Sequence, residues 1–105
     1  KGIGINTTTG ELTATGSVSL TTVGSYIQYK SGTGQRAGNA TLVAGTVTVT
    51  NTSVSANTII SLTRKTAGGT IGNLSYTLSA GASFTINSDN ALDTSVVSYH
   101  LLEVV

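Results

Sequence analysis

The 105-residue chain is 38% hydrophobic and only 9% charged, with four Tyr, one Phe and no Trp, Met, Cys or Pro. Its five basic residues oppose four acidic ones for a net charge of +1; they are scattered and not interleaved with aromatics, which gives no footprint for nucleic acid. Without Cys there is no disulfide framework and no thiolate metal site, and no apolar run approaches the roughly 18 residues of a membrane span, so membrane insertion is not expected.

The length suits one domain, or one small domain with a short extra segment. Lys1 stands where a Met would begin a primary product, as expected of a fragment or processed chain. Thr and Ser dominate the polar residues, which favours strands at Thr and turns at Ser, and no stretch carries the 3.6-residue periodicity of a helix. The expected fold is all-β: an antiparallel β-sandwich or jelly-roll-like knob behind a short extended N-terminal shaft segment. A lone soluble domain usually carries a surface of roughly 25–35% charged residues. Here Thr and Ser must hydrate the surface, or other subunits must cover part of it.

In chain order, Ile3 between Gly2 and Gly4 opens an extended piece, Asn6–Gly10 reads as a turn, and Leu12 begins a second extended piece. Ser17–Val23 (SVSLTTV) alternates, with Val18, Leu20 and Val23 on an inward face, and predicts a strand. Gly24-Ser25 is a turn, and Ser25–Lys30 (SYIQYK) predicts another strand, with Tyr26 and Tyr29 on opposite faces. A wound, three-stranded arrangement is the alternative for the first 30 residues. Ser31–Gly38 (SGTGQRAG) is Gly-rich and polar, the pattern of a linker or exposed loop. It divides the chain into an appendage over residues 1–37 and a sandwich domain over 38–105.

The densest strand-forming stretch is Ala40–Thr63. Val47 and Val49 alternate with Thr46, Thr48 and Thr50, so one face is apolar and the other hydroxylated. Gly45 marks a bend before them, turn residues surround Val54, and Thr58–Thr63 is the next strand. Lys65–Asn73 (KTAGGTIGN) reads as a glycine loop. Leu74–Ser79 and Ala82–Asn87 predict two strands joined by a tight turn at Ala80-Gly81. Ser88–Thr94 is a polar turn with one helical turn at most, and Ser95–Val105 is the longest strand candidate. The apolar positions Val47, Val49, Ile60, Leu62, Phe84, Ile86, Val97 and Tyr99 are assigned to a core or a subunit interface.

Chemistry is sparse. His100, the single histidine, lies on the opposite face of its strand from Tyr99; it has the chemistry of a base or metal ligand, or of an ordinary surface or interface residue. Asp89 and Asp93 could supply loop carboxylates to a cation, but their spacing misses an EF-hand, and Asx turns or caps explain them. Arg64 and Lys65 could meet phosphates or acidic sugars; the alternative is a solvated strand end. Gly68–Gly72 lacks the Lys-Ser/Thr of a phosphate loop. Tyr26 and Tyr29 are the exposed candidates for stacking on sugars, whereas Tyr76 and Tyr99 suit the core or an interface. The candidate binding residues are therefore Tyr26, Tyr29, Arg64, Lys65, Asp89 and Asp93. No catalytic pair, metal or cofactor is expected.

From Gly38 onward, the runs AGNATLVAGTVTVTNTSVSANTIISLTRKTAGGTIGNL and LSAGASFTINSDNALDTSVVSYHLLEV resemble a small β-domain at the C-terminal end of tailed-bacteriophage fibre, spike and appendage proteins. The closing aromatic, often Trp in that family, is Tyr99, and the usual Glu-Pro tail is replaced by Glu103-Val104-Val105. GIGINTTTGELTATGSVSL is similar to a phage-fibre shaft element without its proline. The resemblance implies a stalk segment, a linker and a terminal β-sandwich in a homotrimer on the virion. It also implies contact with other virion proteins, a role in host attachment or capsid decoration that can involve a host surface glycan, and no shared catalytic site. A monomeric carbohydrate-binding module and a ligand-free trimerisation domain are the alternatives.

Overall fold

The computed structural model describes residues 3–6 and 11–104. Its strands, in chain order, are β1 (Ile3–Asn6), β2 (Glu11–Ala14), β3 (Ala37–Thr41), β4 (Thr46–Thr50), β5 (Thr58–Thr66), β6 (Leu74–Ser79), β7 (Ser83–Ser88) and β8 (Val96–Glu103). There is no helix among the described residues. β1 and β2 pair antiparallel, Ile3 opposite Ala14 and Asn6 opposite Glu11; the turn expected from Asn6 to Gly10 lies largely outside the described residues. The other strands form two antiparallel three-stranded sheets, β3-β8-β5 and β4-β7-β6. Edge strand β3 runs beside β4, and β5 beside β6, so β8 lies over β7 at the centre of a β-sandwich. The expected all-β sandwich is what the chain forms, with six strands rather than the eight of a full jelly roll.

Period-2 patterning builds this core. β-branched Val47 and Val49 turn inward from β4 while its threonines face out. Phe84 and Ile86 do the same from β7, and Val97, Tyr99 and Leu101 from β8. Phe84, Ile86 and Val97 are completely buried, joined by Leu42, Val54, Ile60, Tyr99 and Leu101. Burying each such side chain contributes about 1.5–3 kcal/mol. The Tyr99 ring meets the Phe84 ring edge-on with centroids 5.0 Å apart. Every apolar position assigned from sequence to the core or an interface lies in this core or packs against it within one protomer. Leu42 and Val54 join it from connections rather than strands, Val54 from the segment read as turns.

The tight turn at Ala80–Ala82 appears as expected, Gly81 adopting a φ of 74°. Ser88–Thr94 makes turns but no helix, and β5, with nine residues, is longer than β8, with eight. The N-terminal half departs most from expectation. Ser17–Val23 and Ser25–Lys30 are not strands; only a bend and turn at Thr22–Gly24 break an irregular arm. Val18, Leu20 and Val23, expected to face inward, are exposed. A strand needs a neighbour for its backbone groups and a surface for its apolar face; among the described residues no strand pairs with Ser17–Lys30, and its apolar side chains stay half or more exposed. The radius of gyration, 16.3 Å, accordingly exceeds the roughly 13 Å of a packed domain of this length. Ser31–Gly38, read as a linker, folds back on itself. The Gly32 amide donates to Ala37 O at 3.0 Å, the Leu101 amide donates to Arg36 O at 2.8 Å, and Ala37 and Gly38 already belong to β3.

Candidate binding surfaces

The two ends of β8 carry two polar clusters, and four of the charged residues are spent in them. At the start of β8, Arg64 continues the inward face of β5 after Ile60 and Leu62. Its guanidinium donates to Asp93 Oδ2 at 2.9 Å, to Gly72 O at 2.8 Å and to Ser95 Oγ at 3.0 Å. Asp93 is fully buried. It also accepts the amides of Gly72 at 3.1 Å and Ser95 at 3.0 Å. The neighbouring Ser95 hydroxyl, then the Ser88 hydroxyl and these amides, hold its carboxyl well below the ordinary carboxylate range, against burial, which pushes the other way. Arg64 is therefore no solvated strand end. It ties the glycine loop to the Ser88–Thr94 turn, and a side chain at Gly69, whose φ is 63°, would collide with the Leu92 carbonyl.

At the other end, Arg36 donates to Glu103 Oε1 at 3.2 Å and to Ser53 O at 3.0 Å. Glu103 also accepts the hydroxyls of Thr58, at 2.8 Å, and Ser55. Those two hydroxyls, Ser55 first, and then Arg36 lower its carboxyl from the ordinary value. This second pair is much more exposed than the first.

The remaining acidic and basic candidates are dispersed. Asp89 accepts both the Asn73 amide, at 2.8 Å, and the Asn73 side-chain amide, at 3.0 Å, and so latches the ends of β6 and β7 together. Asp93 alone forms the Asx turn, onto Ser95. The two aspartates do different jobs, and among the described residues no three His, Asp or Glu side chains gather as metal ligands would. Lys65 is exposed at the register shift between Arg64 and Thr66, which points it away from Arg64.

Tyr26 and Tyr29 are exposed, as expected of ring-stacking candidates, but they stand on the arm rather than on a strand. Tyr29 tilts against His100, ring centroids 4.5 Å apart, and so brings the arm onto the outer face of β8. His100 Nε2 is buried there with no hydrogen-bond partner. The apolar side chains Leu12 of β2 and Val18, Leu20, Val23, Tyr26, Ile27 and Tyr29 of the arm are all exposed.

Of two further surfaces, one extends the hydroxylated face expected of β4 and the other was not expected from sequence. The outer face of β4-β7-β6 carries Thr, Ser or Asn at every outward position, with Thr46 donating to Asn87 and Thr48 bonded to Thr85, each at 3.0 Å. Where that face meets the β3 edge, a partly open cleft of about 350 Å³ is lined by Gly32, Thr33, Asn39, Thr48, Val49, Thr50 and Tyr99. Alternation shows which residues of β4 face outward, but only the pairing of Gly38 with Tyr99 and the return of the Gly32 loop close the cleft.

A family model for the C-terminal domain of K1 capsule-specific polysaccharide lyase matches residues 16–102. The chain belongs to this family. As a K1-lyase C-terminal domain it fits the C-terminal domain of a phage fibre or tail spike that the resemblance implied, and it is thereby tied to the virion. No curated protein and no solved structure matches the chain. The match covers the sandwich and also most of the exposed arm from Gly16 onward, so the arm is part of what defines the K1-lyase C-terminal domain.

Proposed function

We propose that the chain is a non-enzymatic terminal domain of a phage fibre or spike, acting as a homotrimer on the virion in host attachment or capsid decoration. The observation that carries the trimer is the arm: a row of apolar side chains from Leu12 to Tyr29, inside the family match from Val18 onward, each left half or more exposed by its own protomer. Large exposed apolar surfaces on soluble proteins mark interaction sites, and equivalent arms on symmetric copies provide a matching surface. The low charge fits the same reading, because four of the nine charged residues, both arginines among them, are consumed in intramolecular ion pairs.

The family name attaches a lyase activity to whole proteins that carry this domain. In this reading, elimination belongs to another part of such a protein, and this domain contributes assembly and contact with the bacterial surface. The polar clusters support that division: Arg64, Asp93, Arg36 and Glu103 hold loops and strand ends, and none of them lines the cleft beside Tyr99, where a general base would have to reach a substrate. The test applies fluorescently labelled chain to encapsulated and capsule-stripped bacteria, while the ultraviolet absorbance of unsaturated elimination products is followed on isolated capsule. Capsule-dependent binding with no absorbance change is expected. A rise in absorbance, abolished by substitution of a residue in this chain, would overturn the non-enzymatic reading.

A further inference from the structure

We propose that the free edge of β5 is completed by a strand from a second copy of the chain, the Ser17–Val23 segment of its arm. This inference deepens the trimer reading and rests on it for the second copy. Ser17–Val23 alternates apolar and hydroxylated residues, the pattern of a strand with one face to bury, yet among the described residues no strand pairs with it. Val18 and Leu20 are 59% and 51% exposed. The segment is patterned for a sheet that its own protomer does not give it. β5 is the converse. It is the longest strand of the sandwich, nine residues, and it stands at the end of its sheet. Edge strands are ordinarily blunted by shortness, Pro, charge or a bulge. Thr58–Thr63 has no Pro and no charge, and the register stays regular until Arg64.

Hydrogen-bond parity shows what this edge offers. The Leu101 amide donates to Arg36 O, and Ser95 O accepts the Leu42 amide, both on the β3 side of β8. Backbone groups alternate sides along a strand, so the N–H and C=O of Ser98 and His100 turn toward β5, opposite Thr63 and Ser61. The N–H and C=O of Ile60 and Leu62 therefore point out of the sheet, where an added strand takes them up. The side chains agree. Leu62, with Leu74, Tyr76 and Leu78 of β6, packs on the core but is only partly buried. β6 is the edge of the opposite sheet, beside β5, so the core is open along this side. A strand added there with Val18 and Leu20 turned inward covers it, and Ser17, Ser19 and Thr21 continue the polar outer positions Ser61 and Thr63. The other edge of the same sheet is already visited by its own chain, through the Ser31–Ala37 bridge onto β3. Passed from each copy to the next, the exchange is a head-to-tail contact, which closes into a ring.

The test uses the full chain, whose lack of cysteine lets one nitroxide be placed at Thr63→Cys, on β5. Isotope-labelled chain is mixed in denaturant with unlabelled nitroxide chain and the two are refolded together. The nitroxide is expected to broaden the Ser17–Val23 amides of the isotope-labelled copies; a nitroxide at Thr48→Cys, on the opposite sheet, should leave them sharp. Amide exchange reads the same contact from β5. In Val18→Ser/Leu20→Ser, which changes only exposed side chains, the Ile60 and Leu62 amides should exchange at least about tenfold faster than in the parent. The Ser61 and Thr63 amides, turned toward β8, should be unchanged. Sharp Ser17–Val23 amides beside the Thr63 nitroxide, or equal exchange at Ile60 and Leu62 in parent and variant, would overturn the strand exchange. Broadening only when nitroxide and isotope share one chain would overturn it too, by placing the arm on its own β5. A native mass of three protomers alongside any of these results leaves the trimer reading standing. A monomeric mass removes both.

Discussion

In β4, Val47 and Val49 alternate with three threonines and turn into a core with Phe84 and Ile86. In the arm, Val18 and Leu20 alternate with Ser17, Ser19 and Thr21 just as regularly and lie exposed. Side-chain period alone therefore does not make a strand; β4 has β7 to pair with, and the arm has no strand beside it. The two regions also differ in where their stability resides. The sandwich closes its own core, whereas the arm's apolar side chains stay exposed.

The largest effect expected within the sandwich is at Arg64. Arg64→Ala strands a buried carboxylate at Asp93, and breaking such a pair costs about 3–5 kcal/mol. Urea unfolding should show this as a large fall in the midpoint at an unchanged slope. The Arg36–Glu103 pair at the opposite end of β8 is the contrast: its side chains are 30% and 46% exposed, and Arg36→Ala should cost at most about 1 kcal/mol. If the two variants destabilised equally, burial would not be what separates the two clusters.

Acid sharpens the same contrast. Asp93 and Glu103 are both held below their ordinary values of 3.8 and 4.5. A depressed folded pKa contributes stability that is present above the unfolded value and lost as pH falls through the folded one. The urea midpoint should thus stay level down to about pH 4.5 and then decline, and the decline should shrink in Asp93→Asn. An unchanged midpoint at pH 3 would show that neither carboxylate contributes.

The smallest effect on folding is expected in the arm. Replacing Val23 and Ile27 by Ser removes exposed apolar surface and should change protomer stability by no more than about 0.5 kcal/mol, yet lower the oligomer's resistance to dilution. A loss comparable to Arg64→Ala would mean that the arm belongs to the protomer's own core.

Much of the sandwich was legible in the sequence because its determinants are local. β6, the Gly81 turn and β7 were located to within a residue from alternation and a turn glycine. Arg64 was also legible in principle: counting by twos from Ile60 and Leu62 puts it inside. Its charge argued for solvent, and the buried partner that outweighs that argument lies 29 residues away. Asp93 was readable as an Asx turn but not as a buried anion, since Gly72 and Arg64 reach it only through tertiary packing. The cleft was invisible for a related reason. Tyr99 reads as a core residue, and only the β3–β8 register shows that Gly38 leaves its hydroxyl room.

The most direct test of the central claim, that the arm is completed by other copies of the chain, is the native mass of the purified chain by light scattering after size exclusion. A mass about three times the 10.5 kDa of the protomer, falling toward one on Val23→Ser/Ile27→Ser substitution, is the predicted result. A stable 10.5 kDa monomer at micromolar concentration, with or without those substitutions, would contradict it.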